Sequence, residues 1–113
     1  MTASITRDEL RAAVEAGTVT VVDALGGEYW QRQHLPGAIP LVAAEVQARA
    51  ADLLPDTAAP IAVYCSNPAC GNSKDVAARL ERLGYTDVRT YREGIEDWVG
   101  AGLPTEATTE ARA

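Results

Sequence analysis

Phenylalanine is absent from this chain of 113 residues, which also has one histidine, one methionine and only two cysteines. Two cysteines exclude a disulfide framework, and with His34 they offer fewer ligands than a tetrahedral zinc site requires. We therefore expect no metal and no other cofactor. Because apolar residues still make up 47% of the chain, the core must consist of Val, Leu, Ile and Ala around a few Tyr and Trp.

Long apolar runs and basic clusters are also missing. No stretch approaches the roughly 20 apolar residues of a membrane span, and residues 1–4 lack the charged and apolar regions of a secretory signal. The net charge of −6 argues against nucleic acid or an anionic membrane as a partner, because phosphate groups are bound by clustered Lys and Arg. These absences predict a cytoplasmic protein, in a compartment where thiols stay reduced.

Turn residues divide the chain into alternating strands and helices. Strands are predicted at 18–22, 38–39, 61–64 and 88–91. Helices are predicted after a capping box formed by Thr6 and Glu9, and at 28–33, 46–54, 73–83 and 94–100. This alternation is typical of an α/β domain with a small, mostly parallel sheet flanked by helices. We predict one domain over residues 1–104 and a polar, frayed tail over residues 105–113.

Cys65 occupies the position with the clearest chemical potential. Active sites of open parallel sheets lie at the carboxyl ends of strands, and Cys65 directly follows the predicted strand 61–64. Loop amides and the N-terminus of the next helix favour an anion at the sulfur, so we expect a lowered pKa for the Cys65 thiol. Lys74, in the first helical turn, is expected to face that anionic site. Taken alone, a cysteine at the end of a strand is more often a small buried hydrophobe.

Several segments, in order, resemble the rhodanese-like family. The resembling segments are Val21–Asp23, Glu28–Tyr29 and His34–Ile39, the strand-to-cysteine junction Val63–Cys65, the helix of residues 73–84, and the closing segment Tyr91–Pro104. The first three resemble a strand ending in Asp followed by E-Y-x-x-G-H-I-P-G-A-I, and the last resembles a Gly-Gly-x-x-x-Trp segment. Together they extend from residue 5 to residue 104, and they imply a rhodanese-like fold.

The resemblance implies a sulfurtransferase with Cys65 as its catalytic residue. The matching cysteine of the family takes a sulfane sulfur from a donor, holds it as a persulfide and passes it to a nucleophile. Implied donors are thiosulfate and persulfides, and implied acceptors are a thiol, cyanide or a protein. The residues implied to hold the outer sulfur and the donor are Ser66, Asn67, Pro68, Ala69, Cys70, Gly71, Asn72, Ser73 and Lys74.

The sequence departs from the family pattern at positions that affect donor binding. The loop from Cys65 to Ser73 is longer than usual, and residues 66–72 contain no Arg or Lys. Leu25 stands where an Arg often follows the Asp. Glu93 stands where the first of two glycines is usual, and an acidic group near the site is expected to repel the thiosulfate dianion.

Cys70 leaves other functions open, because it lies in the same loop as Cys65. It is a candidate resolving thiol, which would convert a persulfide or sulfenate at Cys65 into a disulfide. A dithiol redox switch is therefore one alternative, and a non-catalytic rhodanese-like binding module is another. We expect separated thiols in the resting protein, because an anion-binding loop would point Cys65 inward and Cys70 would reach it only after the loop rearranges.

Two further polar residues are interpreted as structural. His34 lies in a His-Leu-Pro-Gly-Ala segment and is expected to fix a turn through hydrogen bonds. Asp23 is expected to be a carboxylate that closes the end of a strand.

A cysteine phosphatase is disfavoured, because Gly71 stands where its C-x5-R motif needs arginine.

Overall fold

The sheet consists of five parallel strands. The structure is a computed structural model that describes residues 3–107. Its strands are β1 (Ala3–Ser4), β2 (Thr20–Asp23), β3 (Ile39–Pro40), β4 (Ile61–Tyr64) and β5 (Val88–Tyr91). They lie in the order β1-β5-β4-β2-β3, and every neighbouring pair is parallel. The predicted small parallel sheet is therefore confirmed, although β1 was not predicted.

Helices cover both faces of this sheet. They are α1 (Arg7–Ala16), α2 (Gly27–Arg32), α3 (Val46–Leu53), α4 (Asn72–Arg82) and α5 (Gly94–Gly100), with a 3₁₀ turn at Ala43–Glu45. The bounds of α5 match the prediction, and α4 begins one residue earlier than predicted. None of the helices within residues 3–107 has the length and apolar character that a membrane crossing requires.

The central strands are buried on both faces, so successive side chains enter two different cores. Val22 and Val63 pack with α3 and α4 in one core. Val21 and Ala62 pack in the other, which contains Leu10 of α1, Trp98 of α5 and two of the chain's tyrosines. This second core fulfils the expectation of a Tyr- and Trp-containing core without phenylalanine.

The predicted capping box fixes the start of α1. The Thr6 side chain accepts a hydrogen bond from the Glu9 backbone N–H (3.2 Å), and the Glu9 carboxylate accepts one from the Thr6 backbone N–H (3.0 Å). Gly17 ends the helix in the left-handed conformation, with φ of 71°.

His34 joins the segment after α2 to the C-terminal part of the chain. Its Nδ1 lies 2.6 Å from the Trp30 carbonyl oxygen, and its ring stacks on the Trp30 indole. Its backbone pairs with that of Glu106 through hydrogen bonds of 2.9 and 2.8 Å. The structural interpretation of His34 is confirmed. The prediction that the chain is frayed from Thr105 onward is wrong for Glu106, because this backbone pairing holds it in place. Residues 108–113 of the predicted tail lie outside the described residues.

Candidate active site

A buried network closes the carboxyl ends of β2 and β4. Asp23 Oδ1 accepts hydrogen bonds from the backbone N–H groups of Leu25 (2.8 Å) and Gly26 (3.1 Å). Asp23 Oδ2 accepts one from the Tyr64 hydroxyl (2.6 Å), whose oxygen accepts the Leu35 N–H (3.1 Å). Burial and the neighbouring Asp23 raise the pKa of Tyr64. Asp23 is therefore the structural carboxylate that was predicted, and it anchors the strand that leads into Cys65.

The Cys65 side chain points into the protein from the end of β4. The residue is only 2% exposed. Its thiol donates a hydrogen bond to the Cys70 carbonyl oxygen, with 3.3 Å between the sulfur and oxygen. The Ser73 Oγ, at the buried start of α4, lies 3.4 Å from the same sulfur. These contacts place the Cys65 sulfur between its own loop and the N-terminus of α4.

The prediction of a lowered pKa for Cys65 is wrong. Burial raises the pKa of this thiol, and the hydrogen bond with the Cys70 side chain raises it further. The Ser73 side chain and backbone N–H act in the opposite direction without offsetting the burial. The physical reason is that the sulfur loses its water and faces a carbonyl oxygen, which favours the protonated form.

The loop amides surround Cys70 instead. Burial raises the pKa of the Cys70 thiol, but hydrogen bonds from the Cys65 side chain and from the backbone N–H groups of Asn72 and Ser66 outweigh it. The Ser66 side chain acts in the same direction, so the Cys70 pKa is lowered overall. The anion-favouring environment that the sequence predicted does exist in this loop, and its occupant is the second cysteine.

Both cysteines are free, and the Cys65 sulfur lies 3.3 Å from the Cys70 backbone carbonyl oxygen. The expectation of separated thiols in the resting protein stays a prediction. The expectation that Cys70 reaches Cys65 only after the loop rearranges also stays a prediction.

These opposite shifts predict the order in which the thiols react with iodoacetamide. Cys70 is expected to be alkylated first, with a midpoint of rate against pH below the usual cysteine value of about 8.5, because its thiolate forms at lower pH. Cys65 is expected to react slowly and with a higher midpoint. Peptide mapping of samples quenched across a pH series measures both midpoints. Faster alkylation of Cys65 than of Cys70 at neutral pH would contradict this order.

The remaining predicted loop residues lie on the outside. Asn67 folds the loop, since its Oδ1 accepts the Ala69 N–H (2.9 Å) and its carbonyl oxygen accepts the Cys70 N–H (3.0 Å). Pro68 and Ala69 are exposed at this turn, and Gly71 is exposed just before α4. The loop comprises residues 66–71 and is one residue shorter than predicted, because α4 begins at Asn72 and not at Ser73.

Lys74 does not act as a counter-ion in this structure. Its side chain is exposed and makes no hydrogen bond or ion pair with any residue between 3 and 107. The structure thus brings together five of the predicted residues around the two sulfurs, namely Cys65, Ser66, Cys70, Asn72 and Ser73.

The start of α5 supports the cysteine loop from the other side, which the sequence analysis did not predict. The backbone N–H groups of Ile95 and Glu96 donate to the carbonyl oxygens of Cys65 (2.9 Å) and Ser66 (3.0 Å). The Asn67 side-chain amide donates to the Glu96 carboxylate (3.1 Å). Glu96, and not Glu93, is therefore the acidic residue seen in contact with the loop.

Gly94 makes this close approach possible. Its φ is +77°, and a Cβ at this position would lie 2.5 Å from both the carbonyl carbon and the oxygen of Ser66. Only glycine combines that backbone conformation with that distance. The signal in the sequence was the glycine of the closing segment that resembles Gly-Gly-x-x-x-Trp.

The rest of α5 is attached to α1 and β5. The Asp97 carboxylate accepts a hydrogen bond from the Tyr91 hydroxyl (2.6 Å), and the Arg7 Nη1 donates to both of its oxygens (3.1 and 3.2 Å). Trp98 is buried, and its indole N–H donates to the Pro104 carbonyl oxygen (2.8 Å). These contacts fix the position of α5 and, through it, the position of the loop.

The fold and the site define a class of α/β domain in which a cysteine loop connects the end of a central parallel strand to a helix. The rhodanese-like domain family matches residues 6–101, and the chain belongs to this family. The predicted family and fold are therefore confirmed.

Relatives of the chain include a regulator and a sulfurtransferase. The chain is 39% identical over 103 residues to the HTH-type transcriptional regulator Rv0324 of Mycobacterium tuberculosis, covering 91% of this chain and 44% of the regulator. It thus spans less than half of that protein. The BH2092 protein of Bacillus halodurans is 26% identical with a TM-score of 0.86, covering 99% of this chain and 82% of that one. The thiosulfate sulfurtransferase of Pseudomonas aeruginosa is 25% identical with a TM-score of 0.76, and the match covers 95% of this chain and 20% of that one.

Proposed function

We propose that this protein is a sulfurtransferase that carries sulfane sulfur as a persulfide on Cys65. The observation that supports this most is the position of the Cys65 sulfur, at the end of β4 and 3.4 Å from Ser73 at the start of α4. Membership of the rhodanese-like family and the likeness to a thiosulfate sulfurtransferase agree with this chemistry.

The proposed reaction has two displacements. The Cys65 thiolate attacks the outer sulfur of a persulfide donor, the S–S bond of the donor breaks, and the donor leaves as a thiolate. An acceptor nucleophile (a thiol, cyanide or a protein thiolate) then attacks the outer sulfur of the Cys65 persulfide and restores Cys65. The backbone N–H groups of Ser66 and Asn72, which lower the pKa of the neighbouring Cys70, and that of Ser73, which acts on Cys65, would stabilise negative charge on the outer sulfur.

The charges around the loop favour a thiol persulfide as donor over thiosulfate. Residues 66–73 contain no cation, Lys74 is exposed, and the Glu96 carboxylate is bound to Asn67 on the rim of the loop. A dianion would have to approach this carboxylate without a positive partner, which costs free energy. A persulfide of a small thiol carries less charge at its reacting end.

Intact mass spectrometry after anaerobic incubation tests the function and the donor together. A thiol persulfide is expected to add about 32 Da to the protein or to oxidise its two thiols to a disulfide. Thiosulfate is expected to react far more slowly. The corresponding disulfide without a sulfane sulfur is the matched control. Failure of every sulfane donor to change the protein beyond that control would refute the proposed function.

Two rival functions are distinguished by the same mass measurement when a sample treated with mild peroxide is included. The proximity of Cys70 to the Cys65 sulfur in one loop favours a dithiol redox switch, which would form a disulfide with mild peroxide but would take up no sulfur from a donor. A non-catalytic binding module would show neither reaction. The likeness to a transcriptional regulator, of which this chain spans 44%, is the comparison that supports a binding module.

A further inference from the structure

The cysteine loop holds a second nucleophile against the proposed sulfur carrier. Cys70 packs against the core cluster that contains Cys65, and the Cys65 sulfur is 3.3 Å from the Cys70 carbonyl oxygen. The turn at Asn67 closes this arrangement, because its carbonyl oxygen accepts the Cys70 N–H at 3.0 Å. The folded loop therefore holds Cys70 next to the Cys65 sulfur.

We propose that Cys70 discharges the Cys65 persulfide by attacking its inner sulfur, which releases hydrosulfide and leaves a disulfide between Cys65 and Cys70. The inference rests on the proposed function, since it requires sulfur on Cys65. It adds a product, hydrosulfide, and an intermediate, the loop disulfide. Regeneration then requires an external dithiol reductant.

The step balances without an added oxidant. The Cys70 thiolate forms a bond to Cys65 Sγ, and the bond from Cys65 Sγ to the outer sulfur breaks. The outer sulfur leaves with the bonding electrons and one proton as hydrosulfide. The sulfane sulfur is thereby reduced by two electrons, and the two cysteines are oxidised to one disulfide.

The geometry decides which sulfur of the persulfide is attacked. The sulfur that lies against Cys70 is Cys65 Sγ, 3.3 Å from the Cys70 carbonyl oxygen, and it becomes the inner sulfur once Cys65 is loaded. Attack on the outer sulfur would instead move it to Cys70 and expel the Cys65 thiolate. Burial raises the pKa of Cys65, and a thiol of higher pKa is a poorer leaving group. Transfer between the cysteines is therefore disfavoured, and displacement of hydrosulfide is favoured.

The two cysteines also differ in access. Cys65 is 2% exposed, whereas Cys70 is partly exposed on the rim of the loop. An external dithiol reaches the Cys70 sulfur of the disulfide first and forms a mixed disulfide with it. The second thiol of the reductant then resolves that bond and returns both cysteines to the reduced state.

A single-turnover experiment tests the inference. Reduced protein is loaded anaerobically with a thiol persulfide, freed of excess donor and followed by intact mass and by hydrosulfide trapping with a fluorogenic probe. Wild-type protein is expected to release about one hydrosulfide per chain and to end about 2 Da lighter than the reduced protein, as the loop disulfide. C70S and C70A are expected to retain the adduct of about 32 Da and to release hydrosulfide only when a dithiol is added.

The possible outcomes distinguish a failure of this inference from a failure of the proposed function. A wild-type protein that retains its adduct as long as C70S does, without hydrosulfide, overturns the inference and leaves sulfur transfer intact. Sulfur mapped to Cys70 overturns it in favour of transfer between the cysteines. If neither the wild type nor the two Cys70 variants load sulfur from any donor, the proposed function fails and the inference fails with it.

Discussion

Replacing Cys65 with serine is expected to reduce sulfur loading from every donor to background. A serine hydroxyl is too weak a nucleophile and cannot form a persulfide. The fold is expected to persist, with a free energy of unfolding within about 1 kcal/mol of wild type, because serine can keep the hydrogen bond to the Cys70 carbonyl oxygen. Intact mass after donor treatment and urea unfolding measure the two effects.

The Cys70→Ser variant is the matched control, because it removes one thiol from the same loop. It is expected to take up sulfur and to hold it. If Cys65→Ser takes up sulfur and Cys70→Ser does not, the carrier is Cys70, and the assignment of Cys65 is wrong. Sulfur loading has to be measured in both variants, because Cys70 is the thiol with the lowered pKa.

Replacing Gly94 with alanine is expected to destabilise the protein by about 3 kcal/mol and to slow sulfur loading. The left-handed conformation alone costs an alanine roughly 1–2 kcal/mol. The remaining cost comes from the Ser66 carbonyl group, which is 2.5 Å from the position of the new Cβ and must move away. That movement breaks the hydrogen bonds from α5 to the loop and displaces both thiols.

Gly102→Ala separates the two contributions. Gly102 also has φ of +77°, but a Cβ there would meet nothing within 4 Å. Its variant is expected to show the backbone cost alone and to load sulfur normally. Urea midpoints and single-turnover loading rates of both variants measure the comparison. Equal effects on stability and loading would show that the contact between Gly94 and Ser66 does not hold the loop.

The central part of the fold could be predicted from the sequence because its signals are local. The bounds of β4 and β5 match the prediction, since both strands are short apolar or β-branched runs between turn residues. β1 could not be predicted in this way. Ala3 and Ser4 have little preference for a strand, and they form one only because β5 offers an open edge for pairing.

The chemistry of the site was less predictable than its location. The order of strands and helices placed Cys65 at the carboxyl edge of the sheet, which the structure confirms. The pKa of Cys65 depends on its loss of water and on the carbonyl oxygen that it faces. Both are set by tertiary packing, since the sulfur is buried in the core that α3 and α4 form with the sheet and the folded loop brings the Cys70 carbonyl oxygen to it. Local patterns along the chain do not specify how deeply such a loop side chain is buried or which carbonyl oxygen it faces.

The shortness of the two outermost strands has a consequence for self-association. β1 and β3 contain two residues each, and Pro40 in β3 has no N–H to offer a neighbour. Exposed strand edges are the usual template on which chains add to one another and aggregate. Within residues 3–107, both edges of this sheet offer only a brief row of backbone groups for such addition. The β-branched central strands, which would aggregate readily if exposed, are therefore shielded on each side by a strand too short to propagate pairing.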